Sequence, residues 1–279
     1  MQTVTETSTL RLDREGSVGW LRLNRPDKLN SFTIAMWREM AELGASLVAD
    51  PGGIRALVVI GEGRAFSSGI DTSVFTGGTT VDDGLSSMPG PSRHDDPAVA
   101  MVMSTQAAYS WLEDASFATI AAVRGFALGA GLQLALACDI RVVARGTKLG
   151  LLEFKYGIMP DLGGTQRLPR LVGPGKAKEM VFTAAKVDAE EAFRIGLAEQ
   201  LVDEAELDDV VTALATNIAG QPPLAIQGAK RAIQAAGEVS VRDGLRIEAE
   251  AQAQCLQSDD MREAITAFVE GRAPDYQGR

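Results

Sequence analysis

The residues of this chain best placed to do chemistry offer backbone amides rather than side chains. The segment Gly61-Glu62-Gly63-Arg64-Ala65-Phe66-Ser67-Ser68-Gly69-Ile70-Asp71 follows the apolar run Arg55-Ala56-Leu57-Val58-Val59-Ile60. A short apolar run closed by glycine reads as a buried parallel strand that delivers a tight loop to a sheet edge. About sixty residues further on the arrangement recurs as Arg124-Gly125-Phe126-Ala127-Leu128-Gly129-Ala130-Gly131-Leu132, a strand, then glycines, then a helical pattern. Two such loops can aim two N–H groups at one developing negative charge, which is what an oxyanion hole requires.

Glycine-rich turns have commoner uses, and alone each loop reads equally well as a simple strand-to-helix turn. A dinucleotide fingerprint needs Gly-x-Gly-x-x-Gly, but the third position falls on Phe66 after Gly61 and Gly63, and on Leu134 after Gly129 and Gly131. No Gly-x-x-x-x-Gly-Lys-Ser/Thr string follows a strand, so a phosphate-cradling nucleotide loop is also excluded.

Taken together, these segments closely resemble the crotonase superfamily, the enoyl-CoA hydratase/isomerase family. The resemblance is carried by Asn24-Arg25-Pro26 with Asn30, by Ala65 through Asp71, by Gly125 through Asp139, and by Glu153 through Gly173. In that order they are similar to the family's CoA-side loop, its first oxyanion loop, its second oxyanion loop with the helix behind it, and its Pro-x-x-Gly-Gly-Thr-Gln-Arg-Leu segment. The resemblance covers nearly the whole chain. It implies an α/β protein in which residues 1–202 form a spiral of ββα units carrying the active site. Residues 203–279 would form a C-terminal helical domain that caps the site and packs between subunits, in homotrimers commonly paired into homohexamers. It also implies an acyl-CoA substrate, with coenzyme A arriving as part of the thioester and no resident cofactor or metal.

In a CoA thioester, removal of an α-proton or attack at the β-carbon places negative charge on the thioester oxygen, and that charge must be stabilised. By position in the motifs, the amides of Ile70 and Ala130 do this, Ala130 standing at the start of a helix whose dipole adds to the effect. In the family's hydratases two glutamates flank the substrate; the matching positions here, twenty residues apart, hold Gln133 and Glu153. A neutral amide can orient water but cannot exchange a proton at neutral pH. Asp161, directly after Pro160, stands where the hydratases usually carry glycine and where several double-bond isomerases of the family carry their working carboxylate. The resemblance therefore favours a Glu153–Asp161 pair that moves a proton between two carbons of an enoyl-CoA. Water addition is the alternative, and a low-turnover CoA-ester-binding scaffold a second one. Other readings stay open: Asp161 can cap the following turn or helix, and Gln133 can be an ordinary helix residue pointing into the pocket. His94, the single histidine, sits beside Asp95-Asp96 and reads as a surface residue rather than a general base. For CoA itself the resemblance assigns Lys28 and Leu29 to the adenine side and Ser68, Ile70 and Asp71 to the pantetheine, with Gly129 beside them. Lys28 and Arg272 are candidates for the phosphates.

The supporting frame follows from composition and periodicity. With 279 residues, 46% hydrophobic and 23% charged, the chain can bury one large core or one core plus an appendage. A formal charge of −10 without clustered Lys and Arg argues against a nucleic-acid partner. Cys138 and Cys255 have no CxxC spacing and read as two buried thiols of a reduced, cytoplasmic protein. The polar start lacks a basic signal region, and no window approaches the ~20 apolar residues of a membrane span. Alternation over 9–24 predicts a hairpin turning at Arg14-Glu15-Gly16, and Met36, Met40, Leu43 and Leu47 predict a helix ended by Asp50-Pro51-Gly52-Gly53. Strands near 119–123 and 140–144 with a helix over 131–137 between them continue an α/β alternation. The stretch 75–97, rich in Gly, Ser, Pro and Asp, predicts a mobile surface loop that with the helix near Trp111 sets pocket depth. Beyond 201 the pattern turns to helices with apolar stripes at Leu245, Ala249, Ala253 and Leu256, and at Met261, Ile265 and Phe268.

Overall fold

The computed structural model describes residues 1–76 and 96–279; most of the expected loop, His94 included, lies outside the described residues. The chain opens with an antiparallel meander of β1 (Gln2–Glu6), β2 (Leu10–Glu15) and β3 (Val18–Leu23). The hairpin joins β2 to β3 as expected, with its turn at Gly16-Ser17. Strand β1 adds to it without the apolar alternation that would announce a strand, because all five of its residues are exposed at the sheet edge.

Helix α1 (Ile34–Ala49) starts where Thr33 Oγ1 accepts from the Met36 amide and buries Met36, Met40 and Leu47. It is followed by β4 (Ala56–Gly61), the short α2 (Ser73–Thr76) and α3 (Pro97–Asp114). Helices α1 and α3 pack closely at Gly44, where a Cβ would lie 2.2 Å from the Trp111 ring. Trp111 itself therefore belongs to the α1–α3 core.

Strands β5 (Ala118–Val123) and β6 (Phe126–Leu128) lead into α4 (Ala130–Ala137), then β7 (Ile140–Ala144) and β8 (Lys148–Gly150). Helix α5 (Gly164–Thr183) bends at Gly173 and is followed by β9 (Val187–Asp188), α6 (Ala189–Arg194) and β10 (Gln200–Val202). The main sheet has seven strands in the order β1-β2-β3-β4-β5-β7-β10, parallel from β3 onward, and β6-β8-β9 form a smaller sheet beside it. One core lies between the main sheet and helices α1, α3, α4 and α5.

The opposite sheet face is covered by α7 (Leu207–Ala219). Its stripe Leu207, Val211, Ala215 and Ala219, at helical spacing, meets Val58, Ile60, Ile120 and Val142. The change of character near residue 203 is thus one of composition, while the packing runs on through α7. Helices α8 (Pro223–Ala235), α9 (Val241–Gln257) and α10 (Asp259–Glu270) complete the chain. Helix α8 is tied to the body by Lys230, whose Nζ donates to the carbonyls of Leu112 (2.6 Å) and Phe117 (3.0 Å) and pairs with Asp139 at 3.0 Å. The apolar stripes of α9 and α10 face outward: Leu245, Leu256, Ile265 and Phe268 are all exposed. Cys138 is buried, which pushes its thiol up to about 12, whereas Cys255 is half-buried rather than buried. Among the described residues no helix is long and apolar enough to cross a membrane.

Candidate active site

The first glycine loop is built on a buried asparagine. After a 3-10 turn over Pro26–Lys28, Leu29 and Asn30 take φ of 48° and 53°, a left-handed conformation uncommon outside glycine. Asn30 Oδ1 accepts from Arg25 N (2.9 Å), and its Nδ2 donates to the carbonyls of Glu62 (2.9 Å) and Ala65 (2.8 Å). Ser67 Oγ donates to Asn30 O (2.8 Å) and accepts from Gly69 N (3.2 Å). The Asp71 carboxylate accepts from Ser73 and Ser31 and pairs with Arg25 at 3.0 Å. The Ser73 side-chain bond and these other donors hold it well below the usual carboxylate range. Asp71 is therefore committed through its side chain to holding the loop.

On either side of Ile70, Phe32 N donates to Gly69 O (2.7 Å) and Asp71 N donates to Phe32 O (2.9 Å). The Ile70 amide itself donates to no acceptor among the described residues. The same holds for Ala130 N, the first residue of α4, where helix geometry leaves the amides without intrahelical acceptors. Its predecessor Gly129 has φ 51° and ψ −121°, a combination open only to glycine.

The two loops are stitched together by Ser67 N to Phe126 O (2.8 Å) and Leu128 N to Ser67 O (3.0 Å). A Cβ placed on Gly131 would lie 2.7 Å from Ser67 Cβ, so glycine is what lets α4 approach the first loop. A Cβ on Gly69 would lie 3.8 Å from Ala130 N, and one on Gly129 would lie 3.9 Å from Gly69 Cα and 3.4 Å from Glu153 Oε1. Both loops and the Glu153 carboxylate thus meet at one place.

Glu153 opens a 3-10 turn over Glu153–Tyr156, two residues after the buried Leu151, and it is 3% exposed. Its Oε1 accepts from Gln133 Nε2 at 2.8 Å, while Oε2 is buried without a hydrogen-bond partner in the protein. Burial pushes this carboxyl above its ordinary range, and the Asp161 charge adds to the shift against the lowering effect of its own backbone N–H and Gln133.

Gln133 Oε1 accepts from the amides of Leu162 (2.8 Å) and Gly164 (2.9 Å). Helix α5 carries Gly163 at its N-cap with no side-chain cap of its own chain segment. Gln133 supplies that acceptor from α4, and Asp161 does not cap the helix. The Asp161 carboxyl is instead pushed upward by burial, opposed by its own backbone N–H, and its carbonyl accepts from Gln106 Nε2 at 2.7 Å.

Asp161 lines a cleft of about 730 Å³ together with Val102, Phe154, Gly157, Ile158 and Met159. Helix α3 thus shapes this cleft through Val102 rather than through Trp111. The apolar wall from the loop after Glu153 escaped the sequence reading; its signal was Ile158-Met159 between Gly157 and Pro160, an apolar pair where a loop ordinarily carries polar residues. Phe154 is stacked on Phe182 with ring centroids 6.0 Å apart. Of the remaining expected site residues, Lys28 is exposed, Ser68 is half-buried with its amide bonded to Leu29 O (2.9 Å), and Arg272 is taken up by Glu263 (2.9 Å) and Glu270 (2.6 Å). No group of His, Cys, Asp and Glu among the described residues is arranged to hold a metal ion.

A partly parallel sheet that sets two glycine loops against a buried carboxylate defines a crotonase-type α/β protein. Residues 13–279 match the family described as enoyl-CoA hydratase/isomerase, and the chain belongs to that family of enzymes. It is 33% identical over 268 residues to the short-chain-enoyl-CoA hydratase of Clostridium acetobutylicum, covering 96% of this chain and 97% of that protein. It is 32% identical over 277 residues to the peroxisomal Delta(3,5)-Delta(2,4)-dienoyl-CoA isomerase of Arabidopsis thaliana, covering 99% and 98%. A Thermobifida fusca protein solved in complex with CoA has a TM-score of 0.80 and 39% identity over 89% of this chain and 93% of that one.

Proposed function

We propose that this protein isomerises the double bond of an enoyl-CoA by moving a proton between two carbons of the acyl chain. The observation that carries the reading is the pair Glu153 and Asp161, two carboxyls in one site that are both shifted upward, while Gln133 is bound at both ends and is neither acid nor base. Ionised Glu153 takes a proton from one carbon through Oε2. The electron pair of the broken C–H bond conjugates into the thioester, and the charge reaching its oxygen is met by the free amides of Ile70 and Ala130. Protonated Asp161 then gives its proton to the other carbon. Nothing is added to the substrate, and the pair resets by exchanging one proton.

CoA enters as part of the substrate, along Leu29, Ser68, Ile70, Asp71 and Gly129, with Lys28 beside the phosphates; the CoA complex of the related Thermobifida fusca protein supports a CoA ester as the ligand. A reducing compartment such as the cytoplasm fits the two unpaired cysteines. The exposed stripes of α9 and α10 fit a homotrimer or homohexamer.

Hydration is the second reading, favoured by the similarity to the short-chain-enoyl-CoA hydratase. A mass-resolved turnover panel of 2-enoyl-, 3-enoyl- and dienoyl-CoA esters tests the choice. Conversion without change of mass, lost by at least ~10²-fold in Asp161→Asn, is the expected result. Brisk water gain on crotonyl-CoA with full activity in Asp161→Asn overturns the isomerase reading.

A further inference from the structure

The amide of Gln133 has a fixed orientation. Its oxygen faces two N–H donors, Leu162 and Gly164, so its NH₂ must face Glu153. The side chain is 1% exposed, and a Cβ on Gly164 would come within 2.9 Å of its Oε1. Turning it around would set NH₂ against two N–H groups and oxygen against a carboxylate. Glu153 therefore has one oxygen held and one, Oε2, without a partner.

Resting on the isomerase reading above, we propose that Gln133 is a positioning residue that makes Glu153 a single-oxygen base. It holds Oε1, leaves Oε2 alone to exchange a proton with the acyl chain, and through Leu162 fixes the adjoining Asp161 segment to the same point. Gln133 thus couples the two carboxylate-bearing segments without exchanging a proton itself.

A hydrogen bond donated to a carboxylate favours its ionised form. The titratable groups facing Glu153 are Asp161, from the segment before α5, and Tyr109 of α3, which is buried and neutral and accepts from Trp37 Nε1 at 3.2 Å. Neither offsets the charge of Glu153, so its own backbone N–H and the Gln133 NH₂ are what oppose burial. Replacing that NH₂ by an oxygen must let Glu153 keep its proton to higher pH.

Gln133→Glu makes the test, because it retains an acceptor for Leu162 and Gly164 and so preserves the helix cap, while setting a second carboxylate oxygen in place of a donor that stood 2.8 Å from Glu153 Oε1. Gln133→Met, which removes both functions, is the companion variant; if it fails to fold, Gln133→Glu decides alone. The Glu153 carboxyl is titrated in the free protein by infrared difference spectroscopy, with Glu153→Gln assigning the band. Exchange of the α-protons of butyryl-CoA into D₂O is followed in parallel by NMR. The protonation midpoint in Gln133→Glu is expected to move up by about one pH unit or more, and the acid limb of kcat/KM for exchange to move with it. A midpoint and an acid limb that both stay in place in the folded variant overturn the proposal. Absence of exchange in the wild type would instead count against the proton chemistry of the proposed function, since the infrared titration needs no turnover.

Discussion

Glu153 is held in an environment that suits a base and strains the fold. Its carboxyl is raised above the ordinary range chiefly by burial, so the folded protein binds this proton more tightly than the unfolded chain does. The stability linked to that proton is fully present below the ordinary carboxylate value and is lost as pH rises through the raised one. At neutral pH the ionised Glu153 therefore destabilises the protein. Glu153→Gln keeps an acceptor for Gln133 Nε2 and removes the buried charge. It is expected to lower turnover by at least ~10²-fold while leaving CoA-ester binding nearly intact. It is also expected to raise stability by on the order of 1 kcal/mol, as relief of functional strain commonly does. Calorimetry at neutral pH beside a kinetic assay checks both signs; a lower melting temperature in the variant would show that the charge is better compensated than its surroundings indicate.

At the scale of elements, the site depends on how closely α4 can approach the first glycine loop. A Cβ on Gly131 would press to 2.7 Å from Ser67, whose hydroxyl anchors both Asn30 and Gly69. Gly131→Ala is therefore expected to spread the two loops and cost ~10²-fold or more in turnover, the scale of a lost oxyanion donor, with binding of a CoA ester reduced far less. Unchanged kcat in a folded variant, with CoA-ester affinity measured by calorimetry, would separate loop spacing from catalysis. These loops were readable in the sequence because their determinants are local: an apolar strand running into glycines at Ala56–Gly61, and a strand, glycines and a helix contiguous from Ala118 to Ala137. Glu153 stood out for the same reason, following Leu149-Gly150-Leu151-Leu152. The bonds of Gln133 were not readable, because the amides that donate to its oxygen lie about thirty residues away and nothing local to α4 points to them. For Asp161 the sequence offered a helix cap, and the structure gives that work to Gln133 because a neighbouring helix delivers an oxygen where Asp161 would have had to bend back. Strand β1 was missed for a third reason: an exposed edge strand is specified by pairing with β2 and carries no burial pattern.

At the scale of the whole molecule, one chain leaves apolar surface that it cannot cover. Phe268 is 86% exposed and Val241 81%, and Val269 and Ile233 are close behind, all on the three terminal helices. Isolated apolar residues are ordinary on a protein surface, whereas stripes on adjacent helices are the mark of an assembly face. Light scattering is expected to return the mass of a trimer or hexamer, and a monomer at micromolar concentration would contradict it. The placement of α7 bears on how such a chain is made. Val58, Ile60, Ile120 and Val142 present the second face of the sheet, and their cover, Leu207 to Ala219, follows the last strand. On a ribosome that adds about 5–20 residues per second, the strands emerge first, and even the last of them, β10, precedes the end of α7 by roughly one to three seconds. During that interval the nascent chain offers an apolar sheet face of the kind chaperones retain, so its passage to the folded state is gated by a helix that takes no part in the chemistry.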